Sequence, residues 1–265
     1  MDIPSVRFLL PCLILYAFYW SLWLNPYVDE GADKDAEHHL SNAKAQRLLS
    51  RARQLIAEQR LEDALGPTLE LYKAYPENSI YIDQLARIYN KLERWNDEAA
   101  MWEQFLVYSP IPSDGCPQIG LAYRRMERED LAYKAFERCL SLEENSDNLM
   151  FMAHALERKG QYKTADELYG KALKRSPGYP DVIIGKARCE IRLGKAAAAK
   201  ERVLKLLETR ADNADALLAA GMACMRTGDY KAARQYLLRG KQVRPRDKDF
   251  RLMLARAARQ SILER

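Results

Sequence analysis

Five cationic side chains recur through this 265-residue chain at a nearly fixed interval: Lys91, Arg125, Arg158, Arg192 and Arg226 stand 34, 33, 34 and 34 residues apart. Arg53, Arg87, His154 and Arg188 lie beside that column, and Arg124 adjoins Arg125. Guanidinium and ammonium groups donate charge-assisted hydrogen bonds to carboxylates and phosphates, so such a column on one face would attract an acidic ligand. Catalytic constellations are missing from the sequence. It has no glycine-rich phosphate loop, no GxSxG and no HExxH, and its only histidines are His38, His39 and His154. The five Cys form no CxxC pair, so no Cys/His zinc site is expected. His38 and His39 stand among carboxylates in a stretch that reads as a solvated spacer. The expectation is therefore a non-enzyme with no catalytic residue, no cofactor and no metal site.

Charge divides the chain near residue 40. The net +5 is the sum of −4 over the first forty residues and +9 over the remainder. With 48% apolar residues, 11 Pro and 12 Gly, the bulk of the sequence should fold rather than stay disordered.

Phe8 to Leu24 carries no charged side chain. Seventeen helical residues reach about 26 Å, at the short end of what crosses a bilayer core, and Ile3 to Val6 and Tyr27 extend the stretch. Tyr16, Tyr19, Trp20 and Trp23 gather towards one end, as aromatic side chains do at a headgroup interface. No small-residue cleavage pattern follows, since Leu24 leads into Asn25, Pro26, Tyr27 and Val28. Residues 1–28 thus read as an uncleaved single-pass anchor meeting the lipid bilayer through residues 3–27, and residues 29–44 as an acidic tether. Arg7 before the span, against a strongly acidic stretch after it, favours a cytosolic N-terminus and a C-terminal domain on the far side of an inner membrane, in the periplasm.

The remainder is periodic. Small residues recur at Ala52, Ala86, Gly120, Ala153, Ala187 and Gly221, and a second column runs Ala64, Glu98, Ala132, Ala165, Ala199 and Ala233. Large residues stand at Trp102, Phe136, Tyr169, Val203 and Leu237, and Pro76, Pro110, Pro177 and Pro245 close units. Each unit reads as two antiparallel helices. Small residues let the backbones approach, the large one fills the space between them, Pro stops the second helix, and Gly160, Gly194 and Gly228 make the turn. Units are expected at 45–78, 79–112, 113–145, 146–179, 180–213 and 214–247, with residues 248–265 a capping helix that keeps Arg251, Arg256 and Arg259 in water.

"LARIYNKLERWNDEAAMWEQFLVYSP" (Leu85 to Pro110) and "MAHALERKGQYKTADELYGKALKRSP" (Met152 to Pro177) resemble the tetratricopeptide repeat family. Glu98 and Phe105 depart from its small residues, and Glu144 and Ala211 from its closing Pro. The resemblance implies an all-α, right-handed α-α superhelix preceded here by the transmembrane helix, with first helices lining a concave groove. It implies a scaffold or adaptor binding an acidic protein or peptide in that groove through Arg87, Lys91, Arg124, Arg125, His154, Arg158, Arg188, Arg192, Met222 and Arg226. The layout is similar to that of anchored proteins of bacterial envelope assembly; an anchored cytosol-facing receptor or regulator is the alternative. Nucleic acid is not expected, because the groove lacks an aromatic stripe.

Two further alternatives stay open. The cationic column falls at the C-terminal ends of first helices, where the helix dipole alone stabilises a cation by about 0.3–1 kcal/mol. Cys116 and Cys139 should lie together, either as a disulfide or, more plainly, as two buried thiols.

Overall fold

The computed structural model describes residues 40–263. The expected anchor at 1–28 and most of the 29–44 tether lie outside them. Among the described residues no helix is long and apolar enough to cross a membrane.

Thirteen helices account for the described chain, and there are no strands among them. They run α1 Asn42–Ala57, α2 Leu61–Ala74, α3 Ser79–Lys91, α4 Trp95–Tyr108, α5 Pro112–Arg125, α6 Glu129–Leu142 and α7 Ser146–Arg158. The series continues with α8 Tyr162–Arg175, α9 Pro180–Arg192, α10 Ala196–Thr209, α11 Ala214–Arg226, α12 Tyr230–Val243 and α13 Lys248–Leu263. Helix α1 begins inside what reads as tether, because Ser41 caps it and Lys44 pairs with Glu70 of α2 at 2.6 Å.

Within each pair the periodic columns are the contact surface. Ala52, Ala86, Ala153 and Ala187 of first helices are fully buried, as are Ala64, Ala165, Ala199 and Ala233 of second helices. Phe136, Tyr169, Val203 and Leu237 fill the space between. The approach is close enough that a Cβ added at Gly120 would stand 2.3 Å from Phe136. Polar side chains start several helices: Asn78, Asn145 and Asn213 each accept a backbone N–H of the first turn.

Every first helix ends in the same turn. Arg60, Arg94, Arg128, Gln161, Lys195 and Asp229 each donate a backbone N–H to the carbonyl five residues earlier, at 2.8–2.9 Å. The residue before each has a positive φ: Gln59, Glu93 and Glu127 near 59°, then Gly160, Gly194 and Gly228 at 76–80°. Only the last three are recognisable as glycines; the first three hold a left-handed backbone against an unfavourable Cβ.

Stacking continues from pair to pair. Each helix packs on the next, and α7 also touches α9, α9 touches α11, and α11 touches α13. This extra contact between successive first helices puts them on the inner side of the curve. Phe250 of α13 is fully buried against Gly240, closing the apolar end of the last pair.

The third pair carries a covalent link. Cys116 of α5 and Cys139 of α6 form a disulfide with Cα atoms 5.5 Å apart, which corrects the plainer expectation of two free thiols. Closing 23 residues removes about 3 kcal/mol of unfolded-chain freedom. This pair also lacks a closing Pro. Asn148 takes over part of that role, donating to the carbonyls of Cys139 at 3.2 Å and Glu143 at 2.8 Å. Cys189 and Cys224 are free and buried.

Replacing Gln59, Glu93 or Glu127 by Gly should stabilise the fold by about 0.5–1 kcal/mol each, while Gly194→Ala should lose about 1 kcal/mol. Urea midpoints of the four variants measure this; a loss of stability on Glu93→Gly would contradict it.

Candidate protein-binding face

The residues expected to line the groove divide into two kinds. Four are neutralised by carboxylates of the array itself. Arg87 grips Asp83 one turn back on α3 at 2.8 Å, and Arg188 of α9 makes a bidentate pair with Glu157 of α7 at 2.7 and 2.8 Å. Arg158 pairs with Glu129, and Arg125 lies 3.3 Å from Glu98.

Glu98 occupies a position where other units have Ala, and it is 1% exposed. Its buried carboxylate accepts from Asn90 Nδ2 at 2.6 Å and from Arg125. One departure from the repeat is thus compensated by another side chain of the same chain.

A lateral rule decides which column cations are used. Three of the five reach the first residue of the preceding pair's second helix. Arg125 lies over the Trp95 ring at 5.0 Å, Arg158 meets Glu129, and Arg192 lies over the Tyr162 ring at 5.7 Å. At the equivalent positions for Arg226 and Lys91 the sequence has Ala196 and Leu61, which carry neither an aromatic ring nor a carboxylate. Among the described residues no carboxylate pairs with Lys91, Arg124, Arg192 or Arg226. Arg124 is half-buried, and burial together with the Arg158 and Arg125 charges lowers its pKa from the usual arginine value.

His154 is not a cation of the face. Its ring stands edge-on to Tyr169 at 5.7 Å, and Nδ1 lies 3.4 Å from Arg188 Nη2. Since guanidinium can only donate, Nδ1 accepts. Burial, with the Arg188 charge, pushes the imidazole pKa down to about 4. Burial works against the Glu157 carboxylate, yet the Arg188 hydrogen bonds hold it below its usual range. Tyr169 donates to the same carboxylate at 3.0 Å. His154, Glu157, Tyr169 and Arg188 therefore form an internal polar clasp between α7, α8 and α9.

At the C-terminal end the inner face opens into a cavity of about 500 Å³ between α9, α11 and α13. Met222, Met225 and Met253 line it with Ile191, and Arg192, Arg226, Arg256 and Arg259 surround it. Among the described residues no carboxylate lines it. Arg256 and Arg259 are turned to this shared space, where the sequence reads them simply as solvating charge. Ile184 and Met150, also on first helices, are buried in the core and do not reach this surface.

Two consequences are measurable. Folded His154 titrates near 4 against about 6.5 unfolded, so the unfolded chain binds more protons between those values. Its contribution is full above about pH 6.5 and is lost as pH falls towards 4, by up to about 3 kcal/mol. In His154→Gln the stability–pH curve should be flatter across that window. Arg125→Glu should destabilise by about 2 kcal/mol, less than the roughly 3–5 of a fully buried pair because Arg125 is 36% exposed. Arg125→Glu combined with Glu98→Ala should recover most of that loss in thermal melts.

Residues 116–146, 156–213 and 214–257 each match the family description "Tetratricopeptide repeat". No curated protein matches by sequence. Among solved structures, PilW, a widely conserved type IV pilus biogenesis factor, is similar at TM-score 0.64 and 18% identity over 81% of this chain and 100% of its own. Pseudomonas aeruginosa pilF is similar at 0.64 and 15% over 81% of this chain and 98% of its own. YrrB, described as a TPR protein with an unusual peptide-binding site, is similar at 0.53 and 17% over 69% of this chain and 95% of its own. These likenesses concern the fold. With the repeat matched over half of the chain and the same helix pairs stacked throughout the described residues, the protein belongs to the tetratricopeptide repeat family.

Proposed function

We propose that this chain is a membrane-anchored adaptor that holds an acidic protein or peptide segment along the inner face of its solenoid and performs no catalysis itself. The observation that carries the reading is the set of cations left without a carboxylate: Lys91, Arg124, Arg192 and Arg226, joined by Arg256 and Arg259. An extended acidic segment laid across the first helices would meet them in succession, and the shared field would speed its arrival. Micromolar affinity, about −8 kcal/mol, needs several such contacts plus apolar burial, which the methionines of the C-terminal cavity can supply.

Anchoring rests on the uncharged run Phe8 to Leu24. Placement of the repeats on the periplasmic side of an inner membrane is supported by the Cys116–Cys139 bridge, since disulfides persist in oxidising compartments and are rare in the cytosol. PilW shares this fold and is described as a type IV pilus biogenesis factor, and we take assembly of a bacterial envelope complex as the setting of this chain.

Arg124→Glu, Arg192→Glu and Arg226→Glu together should abolish capture of partners from detergent-solubilised membranes while the variant still unfolds in a cooperative thermal transition. Undiminished capture by that well-folded variant would refute the basic-face reading. A reporter fused after Arg265 should be active only outside the cytosol; cytosolic activity would overturn the placement.

A further inference from the structure

The C-terminal cavity differs from the rest of the inner face in having depth and an apolar floor. Elsewhere the unpaired cations stand singly. Here four guanidinium groups, each exposed and none ion-paired to a described residue, ring a space that no acidic side chain of the described residues lines. Their mutual repulsion is unrelieved within the described chain, so an incoming anion is the missing counter-charge.

The floor has its own demand. Met222, Met225 and Met253 are half-buried, and Ile191 beneath them belongs to the core. Methionine is unbranched and polarizable, so three of them form an apolar lining that adapts to the shape of what enters. About 500 Å³ falls within the roughly 300–1,000 Å³ range of small-ligand sites, so the space is far larger than an ion and smaller than a folded element.

The contributing helices restrict the ligand's course. Arg192 on α9, Arg226 on α11 and Arg256 on α13 come from three successive inner helices. A segment crossing those helices would offer one side chain downwards to the methionines while its neighbours meet the arginines.

From this geometry we infer that the cavity is a specificity subsite for a partner segment in which one bulky apolar side chain is flanked by carboxylates. The inference rests on the reading above that the inner face receives an acidic segment, and it names which residues of that segment are selected. The apolar side chain enters among Met222, Met225 and Met253. The carboxylates on either side lie on Arg192, Arg226, Arg256 and Arg259. The arginines supply attraction and orientation, and the floor discriminates between acidic segments that charge alone would treat alike.

The test uses the full-length chain and fluorescein-labelled ten-residue peptides with a central Glu-Glu-Phe-Glu, Glu-Glu-Ser-Glu or Lys-Lys-Phe-Lys, read by fluorescence anisotropy. The Phe-containing acidic peptide should bind at least about tenfold more tightly than the other two. Arg226→Glu with Arg256→Glu should weaken it at least about tenfold, and Met225→Asp should erase the preference for Phe over Ser. Melting curves confirm that the variants fold. Equal binding of the Phe and Ser peptides, no measurable binding of the Phe peptide, or unchanged binding by the double arginine variant each overturns the subsite. If acidic peptides bind without regard to Phe and are lost in Arg124→Glu, the subsite fails while the basic-face reading stands. Tighter binding of dodecanoate than of the peptide, abolished by the same double variant, overturns it in favour of a single-chain lipid.

Discussion

The structure depends on how closely two helices can approach within each pair. In five of the six pairs Ala or Gly at one register on the first helix meets Ala on the second, and from the second pair onward a larger residue fills what remains. Gly120 shows the margin: even one added carbon would stand 2.3 Å from Phe136. From this spacing follow the burial of both helices, the identical turns at their ends and the stacking of one pair on the next. Contacts between successive first helices then curve the array and gather their solvent-facing residues on its inner side.

This part was legible in the sequence because each column repeats a size, and size is what the packing selects. Fully buried Ala64, Ala165 and Tyr169 stand on columns that can be read by counting residues. The turns were only half legible. Gly160, Gly194 and Gly228 announce a left-handed backbone, whereas Gln59, Glu93 and Glu127 adopt the same conformation with side chains that give no sign of it. The six positions follow one another at 34, 34, 33, 34 and 34 residues, so register rather than residue type was the signal to use.

Charge was less legible, because a cation's state depends on what lies opposite in the neighbouring pair. Arg125 and Arg226 occupy equivalent positions, yet Trp95 and Glu98 engage the first while Ala196 leaves the second unengaged. By position in the sequence His154 belongs with the arginines, but burial and Arg188 keep it neutral. The disulfide was legible as proximity and not as a bond. Helix α13 was legible as a cap, but nothing in its own sequence indicates that Arg256 and Arg259 face Arg192 and Arg226 across a shared cavity.

Helix α13 stands where the first helix of another pair would stack, with Phe250 sealing the last one. A cavity walled by α13 ties the site to that helix rather than to any one repeat. Duplicating an internal pair would lengthen the solenoid and leave this pocket intact. Adding a pair after α13 would bring a new helix against the outer wall of the site and bury part of its mouth. The array is thus free to change length at its interior, while the place of α13 is held fixed by what it encloses.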